Sequence, residues 1–568
     1  MKRLKHSLLL LLAISQTLSM FSCKKYIEES NLGGQTDATY YVTKAGFEDL
    51  VKSNYPNLRY IVAFTPLYNW GTDLYSSLNT TDVNALNMYN GSLNSAAPEV
   101  DTYWKQLYYS IGEANTTLYW ATQVKEIDAA TLNIRIGETK ALRAYYYYLL
   151  VETFGDVPLV LTRTTTASVD FTRAPEKDVY NQIITDLNSA IGALPATTRD
   201  QGRVTKGFAQ HLLAKVYLTR GYKSYGAGIA DFTQAASLAE GVINSGNYSL
   251  LPVFANLFDP SIANFQINPE VIFSVQYSTN PATNPVFYLG KVQATAVVGN
   301  NLHQNFIWDT EVVPPIGQSS VYNKPLPTTV ASPVPYFYTL FDKVRDSRYL
   351  ATVYNALYAQ VAGTVNGRTF AAGDTVIYYP DVAFTTAQKA ARKYFVFNPN
   401  EYRSSPFSGL TRTYPEFRKF RELNLPFADN NGTRDTYVFR LAETYLIAAE
   451  AYLQAGNLGK ALQYYNVIRT RAAKPGFNPS TGLAYSAELQ ATSLTLDDIL
   501  DERARELAGE EMRWFELKRT GKLIARTLAY NEEAKASNSL KSFHMLRPIP
   551  QSQIDLNRGT LFPQNPGY

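Results

Sequence analysis

Cysteine occurs once in 568 residues and histidine only four times. A single thiol excludes an internal disulfide and cannot supply the thiolates of a zinc or iron–sulfur site. His6, His211, His303 and His544 are far apart and form no H-x-x-x-H pair, so a histidine metal centre is not expected. An excess of one charge is also missing. The 53 Lys+Arg stand against 49 Asp+Glu, and the net +4 is no footprint for nucleic acid. No apolar run reaches the roughly 20 residues that cross a bilayer as a helix. A nucleophile elbow, a P-loop, an H-E-x-x-H pair and a dinucleotide glycine motif are all absent, which removes the commonest enzyme signatures. What is abundant is tyrosine: 42 of them, beside 28 Phe and 5 Trp. An apolar fraction of 45% with 18% charged residues is globular, neither disordered nor fibrous. A chain of this length builds a large core.

Lys2, Arg3 and Lys5 precede an apolar run from Leu8 to Ile14. That run suits the h-region of a secretory signal. Met20-Phe21-Ser22-Cys23 follows, placing the sole cysteine where a lipoprotein signal peptidase would cut. The tetrapeptide resembles a bacterial lipobox with the required small Ser22, although Met20 and Phe21 depart from the usual Leu and Ala/Ser. An ordinary signal peptide with a stray cysteine is the alternative. The lipoprotein reading implies a diacylglycerol thioether and an N-acyl chain on Cys23, more than the two chains that hold a body at a membrane. Residues 1–22 are then the signal peptide and 23–40 the acylated cysteine with a polar tether. Removing the three leading cations leaves 50 Lys+Arg against 49 Asp+Glu.

In the mature chain, two helical blocks at about 41–250 and 435–568 flank a loop-rich lobe at about 251–434. Trp104, Leu107, Tyr108, Ile111, Ala114 and Leu118 recur at spacings of three and four, the mark of one apolar helix face. A second helix runs from about Ile136 to Val151 and stops at Gly155. Its Tyr145–Tyr148 sweep roughly 300° of the helix surface, so neighbours are expected on several sides. Further helices are expected at about 176–192, 206–220 and 231–244. Leu441 to Tyr452, a break at Gly456-Asn457, and a helix through Ala461, Tyr465 and Ile468 resemble a tetratricopeptide unit without its W-x-x-L-G signature. Thr495 with Asp498 makes a capping box for a helix running towards Gly521. The middle segment holds 16 of the 28 prolines, which confines it to loops and short strands.

Asp429-Asn430-Asn431-Gly432 reads as a turn, since its glycine comes too early for a calcium loop and no terminal Glu closes it. Asp501, Glu502, Glu506, Glu510 and Glu511 alternate with Arg503, Arg505 and Arg513, as in a salt-bridged helix face rather than a catalytic carboxylate pair. Trp104, Trp120 and Trp514 fall in helical patterns and belong to the core. Trp70 and Trp308 do not: the stretches 68–75 and 303–309 mix aromatics with Asn, Asp and Gln without helical period. That mixture suits a sugar, with ring faces on C–H surfaces and amides or carboxylates on hydroxyls. Trp70 and Trp308 are therefore the candidate platforms, with Asn69, Asp73, Asn305 and Asp309 as hydroxyl partners and Tyr75 and Tyr89 as weaker aromatic candidates. The competing expectation is that these rings simply pack beneath loops.

The C-terminal series is distinctive. It runs Arg440-Leu441-Ala442-Glu443-Thr444-Tyr445-Leu446, Asn466-Val467-Ile468-Arg469-Thr470-Arg471-Ala472, Asp501-Glu502-Arg503-Ala504-Arg505-Glu506-Leu507, Arg513-Trp514-Phe515-Glu516-Leu517-Lys518-Arg519 and Gln564-Asn565-Pro566-Gly567-Tyr568. Together with Arg143-Ala144-Tyr145-Tyr146 and Phe154-Gly155-Asp156-Val157-Pro158, it closely resembles the SusD/RagB family of Bacteroidetes outer-membrane lipoproteins. The resemblance implies a mainly α, tetratricopeptide-like scaffold carrying a variable ligand-binding lobe. It implies a non-enzyme at the cell exterior that binds oligosaccharides and delivers them to a SusC-like TonB-dependent transporter. A peptide-binding or mainly structural lid subunit is the alternative. No cofactor is expected, and a structural calcium ion is the one metal the sequence leaves open.

Overall fold

A computed structural model describes residues 35–568 except 78–84, 279, 281–284, 289–290, 298, 320, 326–329, 403–404, 408–411, 424, 430 and 560. The signal segment, Cys23 and the tether up to residue 34 lie outside the described residues. Helix α1 (Pro98–Ala121) opens on a proline whose missing N–H costs nothing in the first turn, with Glu99 and Asp101 against the positive helix end. Its face of Trp104, Leu107, Ile111 and Ala114 is buried as the spacing predicts.

Helix α2 (Ala129–Phe154) is capped by the Asp128 carboxylate, which accepts the Thr131 N–H at 2.9 Å, and ends at Gly155 with φ 72°. Its four successive tyrosines are all buried and each faces a different neighbour. Tyr146 donates to the Asn54 carbonyl and Tyr147 to that of Val160, both at 2.7 Å, while Tyr148 meets the Thr219 hydroxyl at 3.0 Å. Tyr145 packs edge-on to Phe208 and Phe439.

Helices α3 (Glu176–Ala193), α4 (Lys206–Gly221) and α5 (Ile229–Ile243) continue the scaffold, and α6 (Leu441–Gln454) and α7 (Leu458–Ala472) form the helix pair read from sequence. Buried Ala235, Ala236 and Ala239 of α5 share a core with Ala442, Ala448, Ala449 and Ala451 of α6. Small side chains let the two helices approach closely, and this contact joins the two helical blocks. The fold is mainly α and tetratricopeptide-like.

The helix expected from Thr495 towards Gly521 is two. Helix α8 (Leu496–Glu506) carries the capping box at Thr495, and α9 (Arg513–Arg519) follows a break. At the break, Gly509 adopts φ +74° with the Phe420 ring 2.5 Å from where a Cβ would sit, a place only glycine fills without strain. Two of the acidic residues of α8 face the interior rather than a solvated helix face, and both are structural. Glu502 and Glu506 are fully buried and bind Arg348 at 2.7 and 3.0 Å. Arg469, Arg440 and Arg471 complete their shell from other elements.

The lobe consists of short strands, as its prolines require. Strand β1 (Tyr75–Ser77) pairs antiparallel with β3 (Ala331–Pro333) in the register Ser76↔Ser332. Strand β2 (Val271–Val275) pairs with β7 (Thr436–Arg440), just before α6. A three-stranded sheet of order β6-β5-β4 combines β4 (Ala356–Tyr358), β5 (Thr375–Tyr378) and β6 (Phe395–Val396).

Candidate functional site

The two stretches singled out for mixing rings with amides do meet, but in a buried seam. The Trp70 indole N–H donates to the Val330 carbonyl at 2.8 Å, and the Asn305 amide donates to the Thr65 hydroxyl at 3.0 Å. The Ala331 N–H reaches the Asn305 carbonyl at 2.7 Å, while the Tyr75 and Phe306 rings lie 5.3 Å apart. Trp308 is 0% exposed, donates its indole N–H to the Tyr414 carbonyl at 3.1 Å and lies parallel to Phe407. Neither tryptophan presents a face to a ligand, so their assignment as platforms is corrected: both pack the junction of scaffold and lobe.

The polar partners share that fate. Asp73 is fully buried, held by Arg513 at 2.9 and 2.8 Å and by Arg526 at 2.7 Å. Burial alone would push its carboxyl up, but the two guanidiniums outweigh it and hold it below its usual range. Asn69 is buried and lines a small cavity of about 80 Å³. The Tyr75 hydroxyl accepts the Gly509 N–H at 2.9 Å, and Tyr89, at φ 53°, donates to the Gly71 carbonyl at 2.7 Å. Asp309 alone among these residues reaches solvent, half-buried, its carboxyl pushed up by burial and then by Glu311. The expected turn at 429–432 is held by the Asp429 carboxylate, which accepts the Asn431 N–H at 2.8 Å; Asn430 lies outside the described residues.

A groove beside β2 does bring amides and aromatic rings together at the surface. Two depressions of about 210 and 300 Å³ share Gln201, Gly202, Arg203, Phe273 and Ser274. One wall is the loop between α3 and α4, which ends at Thr205, the residue whose hydroxyl caps α4. The other is β2 and the residues after it. Gly202, at φ +83°, lies so close to Gln276 that a Cβ would fall 2.6 Å from its Oε1, which lets the glutamine extend along the groove. Arg59 donates to the Gln276 carbonyl at 2.8 Å and lies 5.8 Å from the Tyr277 ring. Arg203 is committed to structure through Glu138 at 2.7 Å.

Tyr55 and Tyr248 supply aromatic surface, with their hydroxyls tied to Glu138 and Thr205. The amides of Gln201, Asn247 and Gln276, in contrast, make no side-chain hydrogen bond to other described residues. Three such amides offer paired donors and acceptors to a string of hydroxyls. Sequence reading missed them because glutamine and asparagine in turns look like ordinary loop residues. The one signal was Gln201-Gly202-Arg203 in a short polar loop between two helices.

The chain resembles several known proteins. The model described as "SusD family" matches residues 329–568, and that described as "Starch-binding associating with outer membrane" matches residues 52–218. SusD-like protein P2 of Formosa agariphila is 27% identical over 590 aligned residues, covering 100% of each chain. A SusD-like protein of Bacteroides ovatus is 25% identical, covering 89% of this chain and 81% of that one. Among solved structures, a laminarin-binding SusD-like protein superposes with a TM-score of 0.63 at 24% identity, covering 93% of this chain and 100% of the other. Surface glycan-binding protein A from Bacteroides thetaiotaomicron, in complex with laminarihexaose, gives 0.65 at 20% identity, covering 92% and 99%. These superpositions show a common fold.

Proposed function

We propose, from the premise that this chain belongs to the SusD/RagB family, that it captures oligosaccharides outside the cell and hands them to a SusC-like TonB-dependent transporter. The observation that carries the binding reading is the groove beside β2, where unbonded amides of Gln201, Asn247 and Gln276 lie along the surfaces of Tyr55 and Tyr248. Relatives support it: one is a laminarin-binding protein, and another was solved with laminarihexaose. Starch-binding protein SusD of Bacteroides thetaiotaomicron is 32% identical over 136 residues. The protein acts by binding and delivery, without turnover. Cys23 carries the lipid that holds it at the outer membrane; among the described residues no helix is long and apolar enough to cross one. Asp309 remains a candidate hydroxyl partner at the lobe surface.

Calorimetric titration of the purified protein against a panel of oligosaccharides tests this. At least one should bind, and Gln201→Ala and Gln276→Ala should each weaken it by about tenfold. Trp308→Ala should cost stability rather than affinity. Unchanged affinity in both glutamine variants would overturn the groove assignment. Peptide binding with no glycan binding would favour the peptide-receptor alternative. Affinity capture from detergent-solubilised membranes should bring down the transporter.

A further inference from the structure

A second recess, of about 270 Å³, opens in the loop-rich lobe between the 3-10 turn Phe254–Leu257, the short helix Arg348–Thr352 and the segment 418–421. Its lining is apolar on one side, with Ala255, Phe258, Pro260, Leu350 and Ala351, and basic on the other. The basic side is built by the backbone. The Arg418 and Lys419 N–H groups both bond the Thr352 carbonyl, at 2.9 and 3.3 Å, and the Arg421 N–H closes a turn onto the Arg418 carbonyl at 3.1 Å. That turn brings the side chains of Arg418 and Arg421 to the same recess, both half-buried.

Lys419 is spoken for. It is buried and paired with Glu510 at 2.5 Å. Arg418 and Arg421 form no ion pair with any described residue, in a molecule whose other buried and half-buried arginines are mostly bound to carboxylates. Arg418 rests on the Tyr354 ring at 5.4 Å, a contact that occupies the face of the guanidinium and leaves its N–H edge open. The acid at the rim, Asp259, is turned towards its own loop, accepting the Ser261 N–H at 3.0 Å and its hydroxyl at 2.7 Å. The Ser347 hydroxyl is taken by the Ala472 carbonyl at 2.8 Å. The rim is left with two forked cations against one carboxylate, over an apolar floor.

We infer that this recess binds an acidic sugar residue, its carboxylate or sulfate held by the forks of Arg418 and Arg421 and its C–H face laid on the apolar wall. The recess is near the lower size limit of small-molecule sites, about 300 Å³, and so suits one sugar unit rather than a chain. Bidentate guanidinium recognition of a planar carboxylate or of sulfate oxygens supplies the selectivity. The inference deepens the glycan-binding reading and rests on it for the source of the anion.

The experiment compares wild type with Arg418→Gln, Arg421→Gln and the double variant in four titrations: an oligogalacturonate, a sulfated oligosaccharide, a neutral laminari-oligosaccharide and sodium sulfate. Unchanged thermal midpoints establish that the variants fold. Wild type should prefer one acidic ligand over the neutral one by about tenfold or more, with an affinity that falls as salt rises. Each single variant should lose that preference while neutral-ligand affinity stays constant. Preference for the uronate or for the sulfated ligand tells which anion the site takes. Equal binding of the acidic ligands by wild type and double variant would overturn the inference and leave the groove reading intact. If no oligosaccharide binds at all, the function reading fails, and sulfate still decides: weaker binding to the double variant upholds the anion site, and equal or absent binding rejects it.

Discussion

Trp308 and Glu416 show how far a residue's neighbours decide its role. Trp308 stands in a polar-looking stretch, yet its backbone N–H donates to Glu416 Oε1 at 3.2 Å and its ring is enclosed. Glu416 is 1% exposed, and burial, with no cation paired to it, pushes its carboxyl up to about 8, only partly opposed by the Trp308 N–H. At neutral pH it is therefore mostly a neutral acid. The sign follows directly. A carboxyl whose folded value lies above its unfolded one stabilises the fold at low pH, and that contribution is lost as pH rises from about 4.3 towards 8. Glu416→Gln keeps the acceptor and removes the titration. Relative to wild type, the variant should gain on the order of 3–4 kcal/mol between about pH 5 and pH 8. Urea unfolding at the two pH values measures this; a wild-type-to-variant difference independent of pH would show that Glu416 ionises freely.

Elements with a strong local period were legible in the sequence; their contacts across the chain were not. The face of α1, the Gly155 stop of α2, the α6–α7 pair and the Thr495 capping box all follow from spacing and end chemistry, which are local. The break between α8 and α9 was missed because the packing that fixes it, the Phe420 ring over Gly509 at φ +74°, comes from a different segment. The candidate site suffered more. Asn69 is buried and the Asn305 amide donates to the Thr65 hydroxyl of the other segment, and no pattern within either segment reveals the partner. Asp73 makes the point testable. It ties the segment before β1 to α9 through Arg513, a separation of 440 residues. Asp73→Asn leaves a 1% exposed guanidinium with only Glu511, 3.5 Å away, as a charge partner. That should cost about 3–5 kcal/mol, far more than a surface pair, with glycan affinity unchanged in the folded fraction. Denaturant unfolding beside a titration at low temperature measures both, and a loss under about 1 kcal/mol would mean that Glu511, 3.5 Å from Arg513, and solvent compensate.

At the scale of the molecule, the interior is held by charge as well as by oil. Buried Glu443, Glu502, Glu506 and Glu516 and half-buried Glu510 are bound to Lys215, Arg348, Lys419, Arg440, Arg471, Arg503 and Arg519, which come from both helical blocks and from the lobe. Burial alone would raise each of these carboxyls, but the surrounding cations outweigh it and hold all five below the usual range, Glu506 at about 2. Their contribution is complete above the unfolded value of about 4.3 and is lost as pH falls towards the folded ones. His211, His303 and His544, all held below the ordinary imidazole range by burial, act in the same direction: they fold neutral and must take up protons when the chain opens in acid. Glu416 and Asp435, raised to about 8 and about 6, oppose the trend, as do Glu113, Asp309, Glu422 and Glu511, but the lowered carboxyls, Asp73 and Glu152 among them, together with the histidines outnumber these. Stability should therefore fall steeply below about pH 4, in one transition that takes scaffold and lobe together, because the network crosses both. Salt should change this little, since pairs out of contact with water are weakly screened. Thermal unfolding between pH 3 and pH 7, at about 0.05 and 0.5 M sodium chloride, reads both features. Two separate transitions, with the lobe melting first, would mean that the buried ion pairs do not couple the lobe to its scaffold.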